Sequence, residues 1–217
     1  MSWKYAIGEV LLTFIAINLA IAFNNWNEGK KAEKVEQELL KELKENLKRD
    51  LTDLDENING GYTFRIQKRQ ELIELFSENT LENEKGIKNI LGSLFSTTIF
   101  ITNDAAFHNL KSQGLNIVTN TSLRNAITAY YDTRVEWFKV NEQDYLDYHK
   151  QYLLPVLVES LFNENDEIAV LLEKHPHFIN HLKWLQFIEK SILAYSQSLK
   201  KDIEALILQI DDEIKNK

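Results

Sequence analysis

Three histidines, His175, His177 and His181, crowd the place where the last helix of this chain should begin. His177 and His181 are four apart and share a helix face, a spacing that zinc accepts. Zinc needs three or four ligands, and no HExxH pattern, no cysteine and no further ligand at motif spacing accompanies the pair. They read as surface or capping histidines, and no metal is expected. Asp144 and Asp147, beside Tyr145, Tyr148 and His149, have the types needed for acid–base chemistry, but a charged outer helix face accounts for them more simply. No G-x-S-x-G, P-loop or G-x-G-x-x-G pattern occurs. No catalytic residue and no cofactor is expected, and the chain reads as non-enzymatic.

Arg124 is the most informative single cation. It falls in the first turn of a helix that Asn120 or Thr121 should cap, where positive charge opposes the helix dipole. That position predicts a partner within the fold, the Glu136 carboxylate or the Tyr130 ring. Arg124, Tyr130, Trp137 and Trp184 are the candidates for a structural or ligand site, and Trp137, Phe138, Tyr145 and Trp184 for lining a pocket. Asn120-Thr121-Ser122 is a formal glycosylation sequon that doubles as the helix cap.

These residues need elements to hold them, and composition says which kind. The 217 residues include 7 Gly and 2 Pro, too few breakers for a turn-rich β fold. The net charge of −8 disfavours nucleic acid as a partner. With no cysteine, disulfides and thiolate metal sites are excluded.

The stretch "YAIGEVLLTFIAINLAIAFNNWNE" is long enough to cross a bilayer: Trp3 to Trp26 spans about 35 Å as a helix. Trp3, Tyr5 and Trp26 stand where interfacial aromatics belong. Glu9, Thr13, Ala16, Ala20 and Asn24 recur at spacings of four, three, four and four, one polar and small face of the kind on which membrane helices pack. Glu9 near the end of the span costs less than a central acid. Cleavage after Ala20-Ile21-Ala22 is the competing reading, opposed by a positive region of Lys4 alone and by a helical pattern that runs on unbroken. The division predicted is residues 1–28 as a transmembrane anchor and 29–217 as a helical, coiled-coil-like domain.

Beyond the span, Val35, Leu39, Leu43, Leu47, Leu51, Leu54 and Ile58 form a stripe close to the straight-helix period. Gly60-Gly61 predicts a kink in one bent helix running to about Asn79, or a hairpin. A short helix should cover 84–95, and "STTIFITN" a β-branched linker. Asn103 or Asp104 should cap a helix closed by Gly114. The helix from 121 should run to a bend near Pro155, "NEND" should loop, and Pro176 should open the last helix. The class predicted is all-α: a single N-terminal transmembrane helix continuing into a long amphipathic helix, with an antiparallel helical bundle.

Ile7-Gly8-Glu9, followed by an apolar run and Asn24-Asn25-Trp26-Asn27-Glu28, resembles the opening of a family of uncharacterised bacterial single-pass membrane proteins. A second likeness lies in "AAFHNLKSQGLNIVTNTSLRNAITAYYD", through Phe107, Leu110, Lys111, Gly114, Leu123, Arg124, Tyr130 and Tyr131. The resemblance implies an uncleaved anchor in the bacterial inner membrane and an all-helical domain on its outer, periplasmic side; it implies no activity. The charge count alone, Lys30, Lys31 and Lys34 against Lys4, would put the domain in the cytoplasm. The function expected is a membrane-anchored interaction or scaffold protein, touching lipid and either a protein partner or its own copy as a homo-oligomer. The alternative is an extracytoplasmic ligand-sensing bundle working with a separate signalling subunit.

Overall fold

A stripe of leucines thirty-odd Å long needs an equally long apolar surface to lie on, and the end of the chain supplies it. The computed structural model describes residues 3–78, 80–163 and 167–217, and the side chains of all of these except 4–6. Helix α1 (Trp3–Glu56) passes through a π-helical turn, Asn57–Tyr62, into α2 (Thr63–Ser77). Helix α9 (Phe178–Lys215) runs back along this rod. Its direction is set by three cross-links: Arg65 to Glu189 at 2.6 Å, Asp55 to Lys200 at 2.6 Å, and Lys44 to Asp211. Leu40, Leu43, Leu47 and Leu54 are buried against the same core as Leu199, Ile203, Leu206 and Ile210. Burial of each such side chain contributes about 1.5–3 kcal/mol.

The remaining helices pack around the upper part of this pair. They are α3 (Glu84–Ser93), α4 (Ala105–Gln113), α5 (Thr121–Ala129), α6 (Glu136–Tyr148), α7 (Leu154–Phe162) and α8 (Ile168–Lys174). No strand occurs among the described residues, so the all-α class holds. Local chemistry explains the boundaries. Asn83 and Asn120 cap α3 and α5 by accepting from the Gly86 and Leu123 amides. Gly114 ends α4 at φ 93°, a conformation that favours glycine. Asp104 precedes α4 but makes no side-chain cap, and Asn103 turns instead to Asp50. Pro155 lacks the N–H that would bond the Gln151 carbonyl, and the helix before it loosens into a π turn, His149–Leu153. "NEND" lies largely outside the described residues, as does Asn79; α2 itself ends at Ser77.

Gly60-Gly61 does not reverse the rod: the helix widens into a π turn there and runs on into α2. Buried positions Asp50, Leu54, Ile58 and Tyr62 are four apart. Each step of four advances about 40° beyond a full turn of an α-helix. A wider π turn holds more residues per turn and keeps such a run on one side. The two glycines differ in surroundings. Space around Gly60 is open, whereas a Cβ on Gly61 would collide with Thr98 Cγ2, in the non-helical segment 96–104 that lies across the rod. Thr98 cannot simply swing aside, because its hydroxyl donates to Asn57 Oδ1. Gly61→Ala should therefore lower stability by about 1–3 kcal/mol. Gly60→Ala should be neutral or stabilising by up to about 1 kcal/mol. Denaturant midpoints of the two variants, compared with the wild type, check this.

Candidate functional site

Three regions concentrate functional side chains: the exposed N-terminal helix, a buried ionic core, and an aromatic face at the far end. Helix α1 carries an eighteen-residue apolar window near the N-terminus, none of it buried, long and apolar enough to cross a membrane. Glu9, Thr13, Ala16, Ala20 and Asn24 all lie exposed on it, as do Trp3 and Trp26; the Tyr5 side chain falls outside the described residues. Two of the polar side chains in this stretch, Thr13 and Asn18, are satisfied by the helix itself. Thr13 Oγ1 donates to the Glu9 carbonyl at 2.9 Å, and Asn18 Nδ2 to the Phe14 carbonyl at 2.7 Å. Such back-bonding lowers the cost of placing them in lipid. A neck of paired charges follows, with Lys30–Glu33 at 2.6 Å and Lys31–Glu28 at 2.9 Å. Burial begins at Glu36, which pairs with Lys217 beyond the end of α9.

The ionic core sits just above the first π turn. Arg65 and Arg69 of α2 enclose Glu189 of α9: Arg65 Nε donates to Oε1 at 2.6 Å and an Arg69 guanidinium nitrogen donates to Oε2. Arg69 Nη2 also donates to the Tyr145 hydroxyl at 2.6 Å. All four side chains are buried. Desolvation pushes the Arg69 guanidinium below its ordinary range, although arginine remains charged at any ordinary pH. Beside it, Tyr62 donates to Glu142 Oε1. Burial raises the Tyr62 phenol and brings the Glu142 carboxyl up to about 7.

Glu142 belongs equally to a second device. The segment 96–104 has backbone N–H groups with no strand to pair with, and carboxylates take that part. Phe100 N donates to Glu142 at 3.1 Å, Ile101 N to Asp53 at 3.0 Å, and Asn103 N to Asp50 at 2.7 Å. Asn57 Nδ2 donates to the Ile99 carbonyl at 3.1 Å. Tyr130 is buried here, its hydroxyl donating to Asp50 at 3.3 Å. Burial raises the Asp50 carboxyl to about 6. The segment is thus strapped to the rod by acids on α1 and α6, which explains why acidic residues occupy buried phases of both helices.

The sequence-predicted residues are scattered rather than gathered. Arg124 pairs with neither Glu136 nor Tyr130: its guanidinium donates to the Val118 carbonyl at 3.1 Å and to Thr121 Oγ1 at 3.3 Å. It closes the turn before its own helix, where a free carbonyl offsets the unfavourable dipole. Trp137 and Trp184 are exposed, while Phe138 and Tyr145 are buried, so these four divide between surface and core instead of ringing one cavity. Asp144 and Asp147 are exposed on α6, and Asp147 accepts from Gln143 at 2.8 Å. The histidines separate: His175 meets Glu159 at 2.7 Å, His181 meets the Tyr148 hydroxyl at 2.8 Å and stacks on Tyr152, and His177 precedes α9. They border an open cleft of about 310 Å³. Among the described residues no group of three or more His, Cys, Asp or Glu is placed to hold a metal.

The core residues Arg65, Arg69, Glu142 and Glu189 escape motif reading. The available signal is phase: each stands where the apolar period of its helix expects a hydrophobe, between Tyr62 and Leu72, between Phe138 and Tyr145, or between Leu185 and Ile192. A charge at a buried phase demands a partner from another helix.

Neither a curated protein nor a solved structure matches the chain. One family model does, over residues 9–151, from within the exposed apolar helix through the strap and α6 to the π turn before α7. Because that match spans well over half of the sequence, the chain belongs to this family, described as a family of unknown function (DUF6090).

Proposed function

We propose that this protein is a non-enzymatic, membrane-anchored interaction module of the bacterial inner membrane, its helical bundle held on the periplasmic side. One observation carries the reading: the apolar window of α1 is wholly exposed, and the same helix continues without interruption into the core of the bundle. A helix buried in a soluble core would hide that window, and a cleaved leader would not share a helix with the folded domain. The self-satisfied Thr13 and Asn18 fit residence in lipid. The exposed aromatics Trp137, Trp184 and Phe187 fit a binding surface rather than an enclosed ligand cavity.

Carbonate extraction of membranes, combined with protease treatment of spheroplasts bearing a C-terminally tagged copy, tests both halves. The protein should stay in the pellet, and the tag should be lost only when the outer face is opened. Release by carbonate would refute the anchor, and a protected tag would refute the sidedness. Within the bilayer, Ala16→Leu should fill the small-residue face and reduce crosslinking between anchors by about five-fold, on the order of 1 kcal/mol of helix packing.

A further inference from the structure

The outer face of α6 and α9 carries an apolar strip about 16 Å long along the helix direction. At one end Trp137 packs on Tyr195 at 4.6 Å; at the other Trp184 lies 6.4 Å from Tyr148 and stacks with Phe187 at 5.6 Å. Trp137 is 54% exposed, Trp184 47% and Phe187 61%. These aromatic contacts make α6 antiparallel to α9 and fix relative heights. Asp144 and Asp147 therefore stand level with the Trp184–Ile188 stretch of the neighbouring helix.

The strip has flanks of opposite sign at that level. On the α6 side are Asp144 and Asp147, both exposed. On the other side are Lys183 and Lys190, also exposed and seven apart on one stripe of α9. Lys190 contacts Gln186, which bonds Gln70 and the Ile66 carbonyl of α2, so this stripe faces away from α6. Lys183 and Asp144 make no salt bridge among the described residues.

We infer that this face docks a second copy of the same chain, in parallel, about a two-fold axis running along the helices. Across such an axis the left flank of one copy meets the right flank of the other, so Asp144 and Asp147 face Lys183 and Lys190 twice over, around a centre of Trp184 and Phe187. The antiparallel alternative brings acid to acid and base to base, which is repulsive. The charge pattern thus selects the orientation that two anchors in one membrane also require. The inference rests on the membrane-anchored reading, which supplies that constraint and a high effective concentration, so that a strip of modest area suffices.

The natural chain has no cysteine, so one introduced thiol reports proximity without background. Full-length protein in native membranes carrying Ser191→Cys, on the strip, should form a disulfide-linked dimer on mild oxidation. Asn109→Cys, exposed on α4, should not. Asp144→Lys with Asp147→Lys should cut the Ser191 yield about five-fold, and adding Lys183→Asp with Lys190→Asp should restore it. Phe187→Glu should abolish the dimer while leaving thermal unfolding by circular dichroism unchanged, since Phe187 is outside the core. Equal yields at positions 191 and 109, or no recovery in the charge swap, overturn the interface. If that happens while the protein remains carbonate-resistant, the anchored reading stands alone. Release into carbonate refutes the anchored reading and the parallel arrangement with it.

Discussion

Glu189→Leu should lower the stability of the bundle by about 3–5 kcal/mol. The substitution removes a wholly buried carboxylate that accepts from Arg65 and Arg69 and leaves two guanidiniums facing each other in the core. Neither can shed its proton at ordinary pH, and neither can reach water without pulling α2 away from α9. The size of the loss measures the stranded charge rather than the worth of the network, and the complementary variant separates the two. Arg65→Met, Arg69→Met and Glu189→Met together replace charge with apolar volume. Arg65 Nη2 and Arg69 Nε have no hydrogen-bond acceptor among the described residues. A partly satisfied ionic core gives up little when exchanged for methionines, so the triple variant should recover most of the loss. Urea unfolding of the full chain in detergent, followed by circular dichroism, reads both. A single variant within about 1 kcal/mol of the wild type would show that the ionic core is not holding α2 to α9.

The second large effect is a dependence on pH with an uncommon sign. Glu142 and Asp50 are raised to about 7 and about 6 by burial, against 4.5 and 3.8 ordinarily. Both therefore keep their protons to higher pH in the folded chain than in the unfolded one. Their stabilising contribution is complete below about pH 4 and is lost as pH rises through the folded values, so this part of the stability falls between pH 4 and pH 7. His149 works against it: burial lowers its pKa, so its contribution is present above pH 6.5 and is lost on acidification. The opposition is removed by taking a difference. Glu142→Gln keeps an acceptor for Phe100 N–H and for Tyr62 but cannot ionise. Relative to the wild type, it should gain about 2–3 kcal/mol between pH 5 and pH 8. A constant offset across that range would mean that Glu142 ionises like an exposed acid.

Much of the architecture follows from periodicity. The leucine stripe from Val35 to Ile58, the unbroken apolar helix before it and the regular stripe of α9 each carry a signal repeated over many residues, and the caps at Asn120 and Gly114 are local chemistry. What periodicity does not carry is pairing between distant segments. Arg65 and Glu189 are separated by more than a hundred residues, and nothing local to either tells which carboxylate will meet which guanidinium. Two adjacent glycines favour a kink in one bent helix and leave a hairpin open. Only the arrival of Thr98 from another part of the chain shows that Gly61 serves close approach while Gly60 does not. The dipole cost of Arg124 predicts a charged or aromatic partner; a carbonyl and a hydroxyl at the start of its own helix suffice instead. The strap was legible as non-helical from its β-branched residues, but the acids that fasten it come from α1 and α6, where they resemble ordinary surface charge until burial is known.

The unbroken rod from the apolar window to Ser77 has a mechanical consequence. From Trp26 to Ser77 it rises about 77 Å, with no break where the apolar window gives way to the charged neck. On the proposed membrane-anchored reading, leaning the apolar window by about 20°, an average inclination for membrane helices, would sweep the far tip sideways by about 26 Å. Bilayer thickness would then act as a long lever on how near two tips can come, and a small change in lipid would be felt most strongly where the molecule is farthest from it.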